Sequence, residues 1–229
     1  MSLKKNESEA DFELSQKIPA LRKVLSQTVN KYNHAELIEK DQGDLQLLYN
    51  ELARYQEMVP EMRFQELNQL NPSGFEQKTA FAISYYLKIM EGFFGDKLAL
   101  AERKKENIIR FMLNEDARLF QKLKDDYYNE SVSDIVKKRF ERNRILEYKN
   151  QLVQQYHPIY QTPEPSGYFN FRAHFFAPQK HFMGLYFDTY WFNILVVWSM
   201  AFVLYFTLYF DVLGKFIRFA ENIRFKKYS

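Results

Sequence analysis

The sequence has 229 residues, no cysteine and nearly equal numbers of basic and acidic side chains, 32 against 29. Without cysteine there can be no disulfide, no thiol catalysis and no cysteine-ligated metal, and no glycine-rich run precedes a Lys-Ser or Lys-Thr pair, so no phosphate-binding loop is present. The charges balance up to the C-terminal tail, which argues against nucleic acid as a partner.

The N-terminal part is predicted to be a helical domain preceded by a polar leader. Residues 1–12 are charged and poor in apolar side chains, so we expect them to be disordered. From Pro19, which suits a first helical turn, apolar residues recur at helical spacing: Leu21, Val24, Leu25, Val29 and Tyr32. A second stripe predicts a helix that ends before Pro60: Leu45, Leu48, Leu52 and Tyr55.

A third helix is predicted after the break at residues 71–74. Ser73 and Glu76 have the spacing of a capping box. The helix that follows carries apolar side chains at i, i+4, i+7 and i+11: Ile83, Leu87, Met90 and Phe94. We expect it to bend or end at Gly95, and a polar helix to follow.

Helical patterns continue to His157, so the predicted domain covers residues 13–157. Asp116 is expected to open a short helix, and Asn129 a long one that stops at His157. The apolar positions of this last helix are Val132, Ile135, Val136, Leu146 and Val153. Short connections favour antiparallel neighbours, so the predicted fold class is all-α, with a helical bundle.

Residues 158–188 form a connecting segment rich in proline and aromatic residues. Its prolines exclude a continuous helix, and the alternation of aromatic and polar residues over 169–175 predicts a short extended segment. The aromatic residues are expected either to pack on the helical domain or to rest at the lipid surface. Simple packing is the favoured role, with ligand contact or gating as the alternative. The two histidines here match no common zinc spacing, so no metal is expected. Candidates for a coupling role are Arg172, His174, Lys180 and His181.

Residues 189–210 carry no charge and as a helix would span ~33 Å, enough to cross a bilayer core of ~30 Å. The alternative, a buried core helix, usually has a shorter apolar run. Both ends carry the aromatic residues typical of a membrane interface: Tyr190, Trp191, Phe192, Tyr205, Tyr209 and Phe210.

The tail, residues 211–229, is predicted to be basic, amphipathic and cytoplasmic, because lysine and arginine mark the cytoplasmic side. Its apolar positions at helical spacing are Leu213, Phe216, Ile217, Ala220 and Ile223. This orientation places residues 13–157 outside the cytoplasm.

The polar residues inside the predicted span are Asn193, Ser199 and Thr207. Polar side chains in membrane helices usually bond to neighbouring helices, so interhelical contact is expected, and the lining of a transport path is the alternative. The span has no acidic or basic residue, so it offers no proton relay or ion-pair site.

The predicted orientation requires that the domain be exported, yet the first 16 residues have no apolar core and cannot act as a signal peptide. Two explanations remain open. The chain is a piece of a longer protein with several spans, which we favour, or the charge rule misleads and the protein is tail-anchored with its domain in the cytoplasm.

Several segments resemble the C-terminal part of large bacterial ABC transporters, in which a nucleotide-binding domain is fused to an ABC-2 type (ABCG-like) permease. The resemblance is carried by YYNESVSDIV, YHPIYQTPEP, AHFFAPQKHFMG and FDTYWFNILVVWSMAFVLYFTLYFDVLGK. It implies an extracytoplasmic domain before the last span, in a bacterial inner membrane, and export driven by ATP that is hydrolysed elsewhere. The implied partners are membrane lipid, other transmembrane helices and a nucleotide-binding domain, with a homodimer among the expected assemblies.

We expect neither a catalytic residue nor a cofactor in this chain. Local sequence suggests no Ser-His-Asp arrangement and no nucleophile elbow, and pairs such as Asp125-Asp126 fall on charged helical faces. Two rival hypotheses remain: a tail-anchored helical adaptor that binds another protein, and a membrane-anchored enzyme. The enzyme would need a convergent pocket of titratable groups.

Overall fold

The computed structural model describes residues 2–33, 42–71, 74–163 and 167–212, together with residues 214, 215 and 218. The chain forms two compact units, residues 1–161 and residues 162–229. The predicted all-α class is confirmed, because helices dominate both units and the described strands form only two short hairpins.

The first unit, called the helical unit below, contains five α-helices and one hairpin among its described residues. They are α1 (Ser2–Phe12), α2 (Ile18–Asn33), α3 (Gln42–Met58), α4 (Gln77–Tyr127), α5 (Glu130–Lys137), β1 (Ile145–Glu147) and β2 (Leu152–Gln154). A π-helical turn, Glu13–Lys17, joins α1 to α2 without a break in helical dihedral angles. Short 3₁₀ turns lie at Leu67–Gln69 and Pro158–Tyr160.

The core of the helical unit lies between α2, α3 and α4, where the predicted stripes meet. Both the α3 and the α4 stripes are fully buried, and in α2 the two leucines are buried. Apolar residues at helical spacing share one face of each helix, and burial of that face stabilises the packing of helices that are weak alone. These predictions are confirmed by the buried residues Leu21, Leu25, Leu45, Leu48, Leu52, Tyr55, Ile83, Leu87, Met90 and Phe94.

The predicted disordered leader is wrong. Ser2–Phe12 is helical, and Ala10 and Phe12 are buried. On the outer side Glu7 and Glu9 form ion pairs with Lys105 and Lys97 of α4. Contacts with α4, whose paired lysines lie almost a hundred residues further along the chain, stabilise this helix. The composition of residues 1–12 alone does not indicate these contacts.

Helix α4 runs through Gly95 without the predicted break and kinks instead at Asp116, where φ is −158° and ψ is 96°. The Asp116 carboxylate accepts hydrogen bonds from the backbone N–H groups of Arg118 and Leu119, so a new helical segment does begin there, as predicted. From residue 102 to residue 127 nearly all side chains are exposed. We call this exposed stretch, residues 102–127, the arm. The predicted capping residue Ser73 lies outside the described residues.

The predicted long helix over 129–157 is wrong beyond its first two turns. Asn129 caps α5 as expected, because its side chain accepts a hydrogen bond from the N–H of Val132. The helix then ends at Lys137, and Leu146 and Val153 face each other across the β1–β2 hairpin. Lys149 and Asn150, both with positive φ, form the two-residue turn.

The second unit consists of a hairpin followed directly by a helix. β3 (Gln179–Phe182) pairs antiparallel with β4 (Leu185–Asp188) through a turn at Met183 and Gly184, both with positive φ. No strand forms over the predicted extended segment, 169–175, where the Asn170 side chain accepts a hydrogen bond from the backbone N–H of Arg172. The strands form later because a glycine tolerates the left-handed turn that closes the hairpin.

Helix α6 (Thr189–Tyr209) is the predicted apolar segment. It has 21 residues and a mean hydropathy of 1.8 over its most apolar window, none of which is buried. At the helical rise it is ~31 Å long, enough to cross a bilayer core of ~30 Å. Within the described residues it is the one helix long and apolar enough to cross a membrane. The predicted amphipathic positions of the tail lie outside the described residues.

Candidate functional site at the start of helix α6

Helix α6 exposes large apolar side chains over its whole length. Tyr190 and Trp191 are exposed at its N-terminal end, and Tyr205, Tyr209 and Phe210 at the other. A helix that is apolar all round is stable only inside a large core or in lipid. Because none of its apolar window is buried within this chain, its surface needs an apolar environment supplied from outside.

The polar residues predicted for interhelical contact make their hydrogen bonds within this chain. The hydroxyls of Ser199 and Thr207 donate to the backbone carbonyls of Leu195 and Val203, four residues earlier, at 2.8 and 2.7 Å. Such bonds satisfy a hydroxyl in an apolar environment without a second helix. Asn193 instead accepts a hydrogen bond from Lys180. Contact of these residues with other helices therefore stays a prediction.

Lys180 and Asn193, chosen from separate parts of the sequence, meet in one hydrogen bond. The Lys180 amine lies 2.8 Å from the Asn193 side-chain oxygen and 5.5 Å from the centre of the Phe192 ring. A cation over an aromatic face is attracted by the ring quadrupole. The bond joins β3 to the first turns of α6.

Two further hydrogen bonds and an aromatic cluster fix the hairpin to the helix. The Thr189 hydroxyl donates to the Ala177 carbonyl at 2.6 Å, and its N–H donates to the Pro178 carbonyl at 3.1 Å. The buried Phe192 ring contacts three other phenylalanine rings, with centroids 5.8 to 6.2 Å apart: Phe171, Phe182 and Phe187. The hairpin and the start of α6 thus form one packed element.

The other candidate coupling residues are not gathered around Lys180. His181 is buried on the opposite face of β3, with its ring 5.4 Å from that of Tyr186, and its Nδ1 has no hydrogen-bond partner among the described residues. Arg172 is exposed, and His174 begins a turn in which its carbonyl accepts the N–H of Ala177. The shared coupling role of the four residues stays a prediction.

A buried charged cluster at the π-helical turn was missed by the sequence analysis. The Lys17 amine lies 3.1 Å from a Glu13 carboxylate oxygen and 2.6 Å from one of Glu51. The Tyr55 hydroxyl donates to the other Glu13 oxygen, and the N–H of Leu152 donates to the other Glu51 oxygen, both at 2.6 Å. Each carboxylate oxygen therefore has a polar or charged neighbour, as buried charges require. The Glu51 oxygen beside Lys17 is held by the ion pair alone, without an aligned hydrogen bond. Burial, reinforced by the Glu13 carboxylate, raises the pKa of Tyr55 far above its usual range.

This cluster connects three parts of the helical unit: the turn between α1 and α2, helix α3, and strand β2. Its chemistry favours a structural role, because every group is engaged and Tyr55 keeps its proton. The sequence offered only one signal, the i, i+4 spacing of Glu13 with Lys17 and of Glu51 with Tyr55 among apolar neighbours. Solvated pairs on helix surfaces have the same spacing.

A polar pocket of about 270 Å³ lies beside α1 in the helical unit and was also missed. Its lining includes Ser8, Asp11, Lys137 and His157. The Ser8 hydroxyl lies 3.1 Å from His157 Nδ1. Burial lowers the pKa of His157 against the opposing influence of Asp11, so the neutral imidazole is favoured.

The pocket contains a serine, a histidine and an aspartate, the residue types of a catalytic triad, but their hydrogen bonds do not form one. The Asp11 carboxylate accepts a hydrogen bond from the Tyr156 hydroxyl, and the Ser8 hydroxyl also accepts one from the Gln154 side chain. In a triad the carboxylate orients the histidine. The Ser8–His157 contact instead ties α1 to the chain after β2. The absence of catalysis stays a prediction.

Comparison with known proteins returned no relative: no protein-family model, no curated protein and no solved structure matches this chain. Residues 2–33, 42–71, 74–163 and 167–212 contain no group of three or more histidine, aspartate or glutamate side chains arranged to hold a metal ion.

Proposed function

We propose that this chain is the membrane-embedded structural part of an ABC-type exporter permease, supplying an extracytoplasmic domain and a final span, while ATP is hydrolysed elsewhere. The observation that carries the proposal is α6, a 21-residue uncharged helix whose most apolar window is not buried by this chain. The step from a membrane helix to an exporter rests on the sequence resemblance.

Lipid suits α6 because every backbone polar group of a helix is bonded within the segment. Its hydroxyls at Ser199 and Thr207 are bonded to the helix itself, so they add little cost in hydrocarbon. The absence of an acidic or basic residue argues against a proton relay along this helix. A structural role among other spans follows more naturally than ion conduction.

The direction of crossing follows from the charges. The residues after Phe210 carry five lysine or arginine residues against two acidic ones, which places the C-terminus in the cytoplasm. The helical unit then lies on the periplasmic side of a bacterial inner membrane. Other transmembrane helices and a nucleotide-binding domain complete the exporter.

In this proposal the hairpin transmits motion mechanically. Lys180 and Thr189 connect it to the first turns of α6 through three hydrogen bonds. When distant ATP sites close and the spans rearrange, a displacement of α6 carries the hairpin with it. Arg172, His174 and His181 then act in the same moving segment.

Cysteine labelling tests the topology, because these 229 residues contain no cysteine that would react at another position. Phe140→Cys places a thiol on an exposed position of the helical unit, and Ser229→Cys places one at the C-terminus. In cells with a permeable outer membrane, a membrane-impermeant maleimide should label position 140 at once and position 229 only after the inner membrane is opened. The reverse pattern would overturn the proposed orientation.

A second experiment tests the exporter assignment separately from the anchor. The protein is purified from its native membranes in mild detergent and assayed for vanadate-sensitive ATP hydrolysis, with the detergent extract of cells lacking the gene as control. Hydrolysis that co-purifies with the chain is expected. A pure membrane protein with no ATPase on the same polypeptide or bound to it refutes the exporter assignment and leaves the anchor intact.

The rival function, a tail-anchored adaptor, is favoured by one specific observation. The arm exposes several large apolar side chains, among them Ile108, Phe111 and Leu119, and exposed apolar surface on a helix is a common binding feature for protein partners. In this case the domain is cytoplasmic, and position 140 is labelled only after the inner membrane is opened.

A further inference from the structure

Exposed aromatic side chains precede the beginning of α6 in the sequence or lie in its first turn, and one of them, Phe171, contacts the ring of Phe192 in that helix. We call them the entry aromatics and define them as Phe169, Phe171, Phe175, Tyr190 and Trp191, all of which are exposed. Phe175 is 91% exposed. Aromatic residues at the end of an apolar helix are typical of a membrane interface.

The entry aromatics cannot move independently of α6. Phe175 lies in the turn closed by the hydrogen bond from the Ala177 N–H to the His174 carbonyl. The Ala177 carbonyl in turn accepts a hydrogen bond from the hydroxyl of Thr189, the first residue of the helix. The Phe171 ring lies 6.1 Å from that of Phe192. The segment that carries Phe171 and Phe175 is therefore held against the start of α6.

The position of Lys180 fixes the level of the membrane surface along α6. Its amine binds Asn193, about one turn into the helix, and an ammonium group is costly within hydrocarbon. The boundary of the apolar layer therefore lies near Asn193, and the rest of α6 to Tyr209, ~26 Å of helix, has the length of the shortest membrane-spanning helices. The residues from Thr189 to Phe192 rise only ~6 Å above it, which is about the thickness of one headgroup layer.

We propose that the entry aromatics are embedded in the headgroup layer of the leaflet in which α6 begins, so that the hairpin rests on lipid. This inference depends on the proposed insertion of α6. Lipid is the favoured occupant because the face is continuous with the span, and because the exposed Arg172 beside Phe171 suits the phosphate of a headgroup. Aromatic rings and basic side chains together are the usual composition of such an interface.

Three single-cysteine variants of the full chain test this proposal in liposomes of phosphatidylcholine and phosphatidylglycerol. Phe175→Cys reports on the entry aromatics and Val203→Cys on the middle of α6. Phe140→Cys is the matched control, because that phenylalanine is 86% exposed and is flanked by the charged residues Arg139 and Glu141. Each thiol is labelled with an environment-sensitive fluorophore. Its quenching is measured with lipids that carry a nitroxide near the headgroup (shallow) or near the chain end (deep), and separately with iodide in the water on both sides of the membrane.

We expect the label at position 203 to be quenched best by the deep nitroxide, the label at 175 best by the shallow one, and the label at 140 by iodide alone. Iodide should quench position 175 several-fold less than position 140. If positions 175 and 140 behave alike while 203 is deep, the inference is overturned but the span stands.

Two other outcomes are equally informative. Protection of position 175 from iodide without quenching by either lipid would show a protein contact at this face, and would also overturn the inference. Failure of position 203 to sense lipid would remove the membrane insertion of α6, and with it both proposals.

Discussion

The buried cluster around Lys17 makes a quantitative prediction about the stability of the helical unit. Replacing Lys17 with methionine keeps a long, flexible apolar side chain but removes the cation that lies between Glu13 and Glu51. The side chain of Lys17 is 1% exposed, so water cannot take over the role of the amine. Two carboxylates are then left buried with no positive charge between them.

Removing one partner of a buried ion pair costs about 3–5 kcal/mol, because the remaining charge is uncompensated. For a domain of this size that loss corresponds to a fall in melting temperature of roughly 6–20 °C.

The assay is thermal unfolding of the full chain in detergent, followed by circular dichroism, with Lys97→Met as matched control. Lys97 also pairs with a glutamate, Glu9 at 2.9 Å, and also lies over an aromatic ring, Phe94 at 5.9 Å, but its side chain is 27% exposed. Its loss should cost less than ~1 kcal/mol, as surface pairs do. If the two variants melt alike, the cluster contributes no more than a surface pair and the reasoning is refuted.

Three further predictions concern other parts of the chain. Because burial lowers the pKa of His157 in the folded state, the stability contributed by the neutral ring is present above the unfolded pKa, about 6.5, and is lost as the pH falls through the folded pKa. His157→Asn, in which asparagine tolerates the positive φ at this position, should flatten the fall in melting temperature below about pH 6.5. An unchanged dependence of melting temperature on pH counts against this role of His157. Asp116→Ala should cost about 1 kcal/mol of helix capping and speed amide hydrogen exchange in residues 117–127, whereas Asp116→Ser should not; equal exchange in both variants contradicts the capping role. Lys180→Met leaves the Asn193 oxygen without its donor and should make the hairpin more susceptible to proteolysis in liposomes, while Lys180→Arg should protect it; similar cleavage of both variants and the natural chain would show that this bond does not fix the hairpin.

The parts of the fold that could be predicted are those where one helix buries a continuous stripe. Ile83, Leu87, Met90 and Phe94 lie on one side of α4 at helical spacing, and all four are fully buried. Such a stripe can be recognised without knowing which residues pack against it, because the apolar spacing lies entirely within one helix. The same holds for α6, whose length and lack of charge are local properties.

The parts that could not be predicted depend on distant residues. The first helix is stabilised by ion pairs with α4 and by burial of Ala10 and Phe12, none of which is visible in residues 1–12. Leu146 and Val153 fit a helical stripe in the sequence, yet they pair across a hairpin because Lys149 and Asn150 adopt positive φ. Local pattern thus gives the wrong period where a turn depends on left-handed residues other than glycine.

The candidate site shows the same division between local and distant signals. Asn193 and Lys180 were each identified by type, a polar residue in an apolar helix and a cation beside it, but their hydrogen bond depends on the register of the β3–β4 hairpin. Shifting that register by one residue would turn Lys180 away from Phe192 and bring His181 to face the helix. Since β3 presents Lys180 to α6 and buries His181 on its other face, the turn at Met183 and Gly184 decides which of two titratable residues lies at the start of the helix. The function proposed for this segment therefore depends on the geometry of that turn as much as on the apolar sequence that follows it.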